Sequence, residues 1–203
     1  MSDNGEMSRA LFIIDVQNDF TEGGALGVPG GSAVAAGITR LLNGHRDAYR
    51  LVIASRDWHD ATGDNGGHFA IDAEPDFVTS WPVHCVAGTA GADYHPGLDT
   101  SLIDEHVLKG QGIPAYSLYE GATEDGRRVE ELLQTSGITE VDVAGIATDY
   151  CVRASALDAI EHGRHVRVLT DLVAGVAEDS SENALAELAH AGVVLTDTSA
   201  VAE

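Results

Sequence analysis

Six short apolar, β-rich runs recur along the chain, at 10–16, 51–55, 106–109, 140–145, 166–170 and 193–196. Segments of helical period lie between most of them. Residues 32–43 set Val34, Ile38, Leu41 and Leu42 on one face, and 127–136 carry Val129, Leu132 and Leu133. Residues 150–162 carry Val152, Ala156, Leu157 and Ile160. In 180–191 the apolar positions are Ala184, Leu185 and Leu188, preceded by Asp179 with Glu182 three residues on, a capping-box pattern. Strands alternating with helices predict an α/β fold: a six-stranded parallel sheet with helices on both faces, in three layers. No repeat or low-complexity stretch interrupts this pattern.

The alternation fails once, between Arg56 and Glu105, a stretch rich in Gly, Asp, His and Pro with only a short helical candidate at 101–104. Connections of that length inside a compact domain usually carry function. In an open α/β sheet, ligands bind beyond the C-terminal strand ends near the point where strand order reverses. The 203 residues predict one domain, 1–203, carrying this loop as an insertion at about 56–105.

Composition narrows the partners. Eleven basic against 33 acidic side chains leave a net charge of −22, which disfavours phosphate backbones and anionic lipid. Neither nucleic acid nor a membrane is therefore expected as a partner. No window approaches the ~20 apolar residues of a membrane span. The acidic start MSDNGEMSRA is unlike a signal peptide, and Cys85 and Cys151 make no disulfide framework. A cytoplasmic protein with reduced thiols is expected. Its oligomeric state is not legible.

Ten of the eleven basic residues are arginine, so Lys109 is the one lysine, and it closes the run at 106–109. Its retention there points to a need for a compact ammonium. Equivalent strand ends carry Asp15 in ALFIIDVQNDF, Asp57 and His59 in VIASRDWHD, and Cys151 in GIATDYCV. An acid, a lysine and a cysteine at successive strand ends can meet at one point. With Thr148 or Asp149 as N-cap, Cys151 falls in the first turn of a helix, where free N–H groups, the helix dipole and a nearby ammonium favour a thiolate. Cys85 lacks that context and reads as structural. In the long loop, Asp57, His59, His68 and His84 form a carboxylate-and-imidazole set suited to zinc, iron or manganese. His45, His95, His162, His165 and His190 read as exposed.

DVQNDF, the D-W-H with its later histidine, SWPVHCV, the VLKG segment and GIATDYCVR together resemble the nicotinamidase/pyrazinamidase branch of the isochorismatase-like cysteine hydrolases. The likeness runs in order from about residue 10 to 194. It implies a Rossmann-like sheet, a catalytic triad of Asp15, Lys109 and Cys151, and one divalent metal held by Asp57, His59, His68 and His84. It further implies an oxyanion hole from the backbone N–H groups of Ala147 and Cys151, a cis Ile146–Ala147 peptide, and an aromatic slot of Phe20, Trp81 and Tyr116. The implied reaction converts nicotinamide to nicotinate and ammonia through a cysteine thioester, with pyrazinamide accepted in the same slot, in the service of NAD salvage. Two departures stand out: His68 follows His59 at a spacing of nine, longer than the six of the pattern, and Tyr150 precedes the cysteine where some relatives have histidine. Other readings are an amidase for a different carboxamide or an N-carbamoyl substrate, a hydrolase using metal-bound hydroxide, and a catalytically silent binding module.

Overall fold

The computed structural model describes residues 8–201. β1 (Arg9–Ile14) lies at the centre of the sheet and is fully buried from Ala10 onward, because strands cover both its edges and helices both its faces. β2 (Leu51–Asp57) and β5 (Glu140–Ile146) flank it in parallel, from Ala10 opposite Leu51 and Arg9 opposite Glu140. β3 (Glu105–Lys109) extends the sheet beyond β2, and β6 (His165–Ala174) and β7 (Val194–Thr196) extend it beyond β5, all in parallel. These six strands are the expected ones. A seventh, β4 (Ala122–Thr123), pairs antiparallel with β3 at the edge, giving the order β4-β3-β2-β1-β5-β6-β7. Two residues are too few to leave a hydrophobic period, so the sequence pattern gave no sign of β4.

Successive side chains of β1 go to opposite faces. Ala10, Phe12 and Ile14 pack with α2 (Val129–Thr135), α3 (Arg153–Glu161) and α4 (Glu178–His190), through Leu132, Leu133, Ala156, Ala159 and Leu188. Leu11 and Ile13 pack against α1 (Gly31–His45) through Val34, Ala35, Ile38 and Leu42. Helices therefore cover both faces, as expected. Among the described residues no helix is long and apolar enough to cross a membrane.

Several boundaries differ from the sequence expectation because the capping groups come from far along the chain. α1 is anchored by the Glu22 carboxylate, which accepts from the N–H groups of Gly30 (2.7 Å) and Ser32 (2.9 Å). α4 starts with Ala177 as N-cap, so Asp179 lies inside the helix rather than capping it. The Asp149 carboxylate reaches across instead, accepting from Val176 N (3.0 Å) and the Ser180 hydroxyl (2.5 Å). The predicted helix at 150–162 begins as a π-helical turn, Thr148–Val152, that runs into α3. Ala147 is its N-cap, and neither Thr148 nor Asp149 plays that part. β6 outruns its predicted end because exposed Thr170 and Asp171 interrupt the apolar pattern but not the strand. The helical candidate at 101–104 is a single 3₁₀ turn, Thr100–Leu102, capped by the Asp99 side chain.

The centre of the sheet is its switch point: from β1 the chain moves to β2 on one side and later to β5 on the other. Asp15 follows β1, Lys109 ends β3, and the π turn bearing Cys151 follows β5. The strand ends that carry chemistry thus open on one edge.

Candidate active site and metal centre

Asp15, Lys109 and Cys151 meet at that edge. Asp15 adopts φ 47°, a left-handed turn straight after β1 that is costly for a non-glycine residue and is held by its surroundings. The Lys109 ammonium lies 2.9 Å from Asp15 Oδ2 and 3.7 Å from Cys151 Sγ, and it also binds Asp57 Oδ1. Asp15 and Lys109 are fully buried, and Cys151 retains 6% exposure. A buried ammonium is tolerable here because two carboxylates face it.

Burial opposes charge on all three groups. It would lower the Lys109 pKa, but Asp15 and Asp57 reverse this and hold the ammonium well above its ordinary range. Burial raises the Asp15 carboxyl, offset in part by Lys109 and raised further by Asp57. The Cys151 thiol is pushed well above its usual range by burial, against the pull of Lys109, with Asp15 and Asp57 adding to the rise. The expectation that the helix start and Lys109 favour a thiolate is therefore corrected: burial, with the two carboxylates, outweighs the pull of the one ammonium. The Lys109 ammonium touches both the Asp15 carboxylate and the Cys151 sulfur, which sets an acceptor for the departing proton beside the same cation.

Beside the triad, His59, His68 and His84 point their ring nitrogens into one buried spot, each ligand atom within 4.8 Å of the others. Asp57 Oδ2 stands 3.6 Å from His59 Nε2 and 3.8 Å from His84 Nε2. His59 Nδ1 lies 2.8 Å from the Gly110 carbonyl and His84 Nδ1 2.7 Å from that of Pro82. A carbonyl only accepts, so in the neutral rings each Nδ1 carries the proton and each Nε2 presents a lone pair. His59 Nε2 and both nitrogens of His68 are buried without a hydrogen-bond partner. Burial, with the cationic forms of His59 and His84 adding to it, lowers the His68 pKa to about 3, so its imidazole is neutral near pH 7. Unpaired imidazole nitrogens beside a carboxylate fit a divalent transition metal.

The long His59–His68 spacing is absorbed by Asn65, whose side chain accepts from Asp60 N (2.8 Å) and donates to Asp60 O (3.0 Å). This clasp closes the extra residues into an exposed loop and returns His68 to the cluster. His45 and His95 are half-buried rather than exposed, and His95 Nδ1 accepts from Gly97 N at 3.0 Å. Cys85 is fully buried, with its N–H bonded to Asp19 Oδ2 at 2.7 Å.

Cys151, His68 and His84 share a cavity of about 260 Å³, which is lined as well by Phe20, Trp81 and Tyr116 and by Phe77, Tyr150 and Val176. Trp81 Nε1 donates to the Tyr116 hydroxyl at 3.1 Å. Ala147 also lines the cavity, and the Ile146–Ala147 peptide is cis. The Ala147 carbonyl accepts from the N–H groups of Tyr150 and Val152, both at 3.1 Å, which fixes the turn around Cys151.

Residues 9–200 match the model of the isochorismatase domain family. The chain belongs to this family. It is 49% identical to the nicotinamidase/pyrazinamidase of Mycobacterium tuberculosis, over 94% of this chain and 100% of that protein. It is 38% identical to the nicotinamidase of Escherichia coli, over 92% and 93%. Among solved structures, PnC1 from L. infantum in complex with nicotinate superposes with a TM-score of 0.81 at 36% identity, over 96% of this chain and 94% of that one. The pyrazinamidase of Pyrococcus horikoshii in complex with zinc gives 0.79 at 34% identity, over 94% and 99%.

Within this isochorismatase-family site, several residues escaped the sequence reading. Ser55 donates to Asp15 Oδ1 at 2.7 Å. Gly110, at φ 83°, lies so close to His59 that an added Cβ would stand 2.6 Å from the ring. Gln17 is fully buried and bonded to the backbone of Asp57. The DVQNDF run held Gln17 in view, but its partner lies 40 residues away.

Proposed function

We propose that this chain is a single catalytic domain that hydrolyses nicotinamide to nicotinate and ammonia, with Cys151 as nucleophile, Asp15 as proton carrier and Lys109 holding Asp15 in place. The observation that carries this reading is the approach of Cys151 Sγ to the Asp15–Lys109 pair, 3.7 Å from Nζ, at the wall of an aromatic cavity. The named relatives act on this class of amide.

An amide is a poor electrophile, so the reaction gains from a thiolate made only when substrate is present. Asp15 takes the Cys151 proton, and the sulfur attacks the carboxamide carbon. The developing oxyanion meets the N–H groups of Ala147 and Cys151. Asp15 passes its proton to the nitrogen as the C–N bond breaks, releasing ammonia and leaving a thioester. Asp15 then takes a proton from water, whose oxygen attacks the thioester carbon. Collapse expels the sulfur, which recovers the proton from Asp15, and nicotinate leaves. Phe20, Trp81 and Tyr116 hold the flat ring. His59, His68, His84 and Asp57 would hold a divalent metal, which supplies a Lewis-acid contact for a ring nitrogen. Pyrazinamide offers the same ring nitrogen and carboxamide and should fit the same slot.

A cysteine amidase for N-carbamoyl compounds would have no use for a ring-nitrogen anchor, so the histidine cluster favours the nicotinamide reading. Ammonia release from nicotinamide, pyrazinamide and an N-carbamoyl amino acid tests this. Turnover of the two ring amides supports the reading, and turnover of the carbamoyl compound alone overturns it.

A further inference from the structure

The two residues before Cys151 each hold one side of the cavity mouth. Asp149 binds the backbone of Val176 at 3.0 Å, and the Tyr150 hydroxyl donates to the Phe77 carbonyl at 3.1 Å. Phe77 and Val176 both line the cavity that holds Cys151. Phe77 is an unusual wall. It is 52% exposed, and its φ of 56° lies in the left-handed region that aromatic residues rarely adopt.

Its turn is built around Asp76. One carboxylate oxygen accepts from the N–H groups of Val78 (2.9 Å), Thr79 (2.8 Å) and Ser80 (2.8 Å), and the other from the Thr79 hydroxyl (2.6 Å). The turn is thus a knob held mainly by its own bonds, with the apolar side chains of Phe77 and Val78 facing solvent at 52% and 67% exposure. Such a knob has little burial to keep it over the cavity. Trp81 meets Phe77 edge-on at 6.3 Å and Tyr150 edge-on at 4.9 Å, and Tyr150 stacks with Tyr116 at 6.2 Å. The Tyr150 hydroxyl is the polar tie between the knob and the turn that carries the nucleophile.

We propose that Tyr150 is a positioning residue whose hydroxyl clamps the Phe77 turn over the cavity, completing the roof of the substrate slot and registering it against Cys151. The assignment rests on the amidase reading for its kinetic consequence but not for the clamp itself. Loss of the hydroxyl frees the roof, so ring amides are held less well, while the triad is untouched.

The test compares wild type, Tyr150→Phe, Asp76→Ala and the double variant by chymotrypsin cleavage at Phe77 and by nicotinamide kinetics. Tyr150→Phe is expected to be cut faster at Phe77 and to lose about fivefold in kcat/KM, most of it through KM. Asp76→Ala, which unmakes the turn presenting the carbonyl, should behave alike, and the double variant should be little worse than either. Wild-type resistance to cleavage together with wild-type KM in Tyr150→Phe overturns the clamp, as do fully additive losses in the double variant. A wild-type enzyme inert toward nicotinamide overturns the amidase reading instead, and the cleavage comparison still decides the clamp.

Discussion

Gln17 grips the backbone of Asp57 from both sides: its Oε1 accepts from Asp57 N at 2.8 Å and its Nε2 donates to Asp57 O at 2.9 Å. The end of β1, which carries Asp15, is thereby locked to the end of β2, which carries the carboxylate of the metal centre. Lys109 repeats the connection through side chains by binding both acids. The candidate triad and the candidate metal site are thus tied to each other by both backbone and side-chain bonds.

Gln17→Ala removes this lock and leaves two buried backbone groups of Asp57 unpaired. A stability loss of about 2–4 kcal/mol is expected from the unmet hydrogen bonds and the cavity. Urea unfolding measures it, and zinc titration of the same variant should show weakened binding.

Ser55→Ala removes the hydroxyl that donates to Asp15 Oδ1. That bond favours the carboxylate, so its loss raises an Asp15 pKa that burial already holds above its ordinary value. Asp15 must be ionised to accept the thiol proton. The acid limb of the kcat/KM profile should therefore move to higher pH, with about a tenfold loss of activity below neutrality. A profile superimposable on wild type would contradict this role.

His68→Ala deletes the proposed metal ligand whose two ring nitrogens are both buried without a hydrogen-bond partner. Zinc stoichiometry measured after dialysis should fall from one per chain toward none. Cys151 should remain open to alkylation by iodoacetamide, because His68 is not among the groups bonded to the sulfur.

How much of this was legible beforehand follows from which contacts are local. Six parallel strands are legible because each leaves a short run rich in apolar and β-branched residues. Lys109 stood out because arginine serves every other basic position. The metal and triad assignments come from five ordered motifs rather than from spacing alone, and the structure brings those residues together. What escaped depends on partners distant in sequence: Ser55 with Asp15, Glu22 with α1, and Asp149 with the start of α4. The thiolate expectation for Cys151 fails for a related reason. The helix start is local to the cysteine, whereas its burial beside Asp15, Asp57 and Lys109 exists only once the strand ends are assembled.

Acid should destabilise the metal-free fold in a defined window. His68 is neutral in the folded chain down to about pH 3, while the unfolded residue takes a proton near 6.5. Between those values the unfolded state binds more protons, so stability falls as the pH drops from 6.5 toward 3. Urea midpoints measured across that range should show a smaller slope in His68→Asn than in wild type.

The proposed chemistry depends above all on the sulfur of Cys151. The decisive measurement is ammonia release from nicotinamide by Cys151→Ala, with zinc content determined on the same sample. Full zinc occupancy with activity reduced by at least about a thousandfold is the expected result. A zinc-loaded Cys151→Ala that keeps a substantial share of wild-type turnover would show that another nucleophile attacks the amide, and would contradict the assignment.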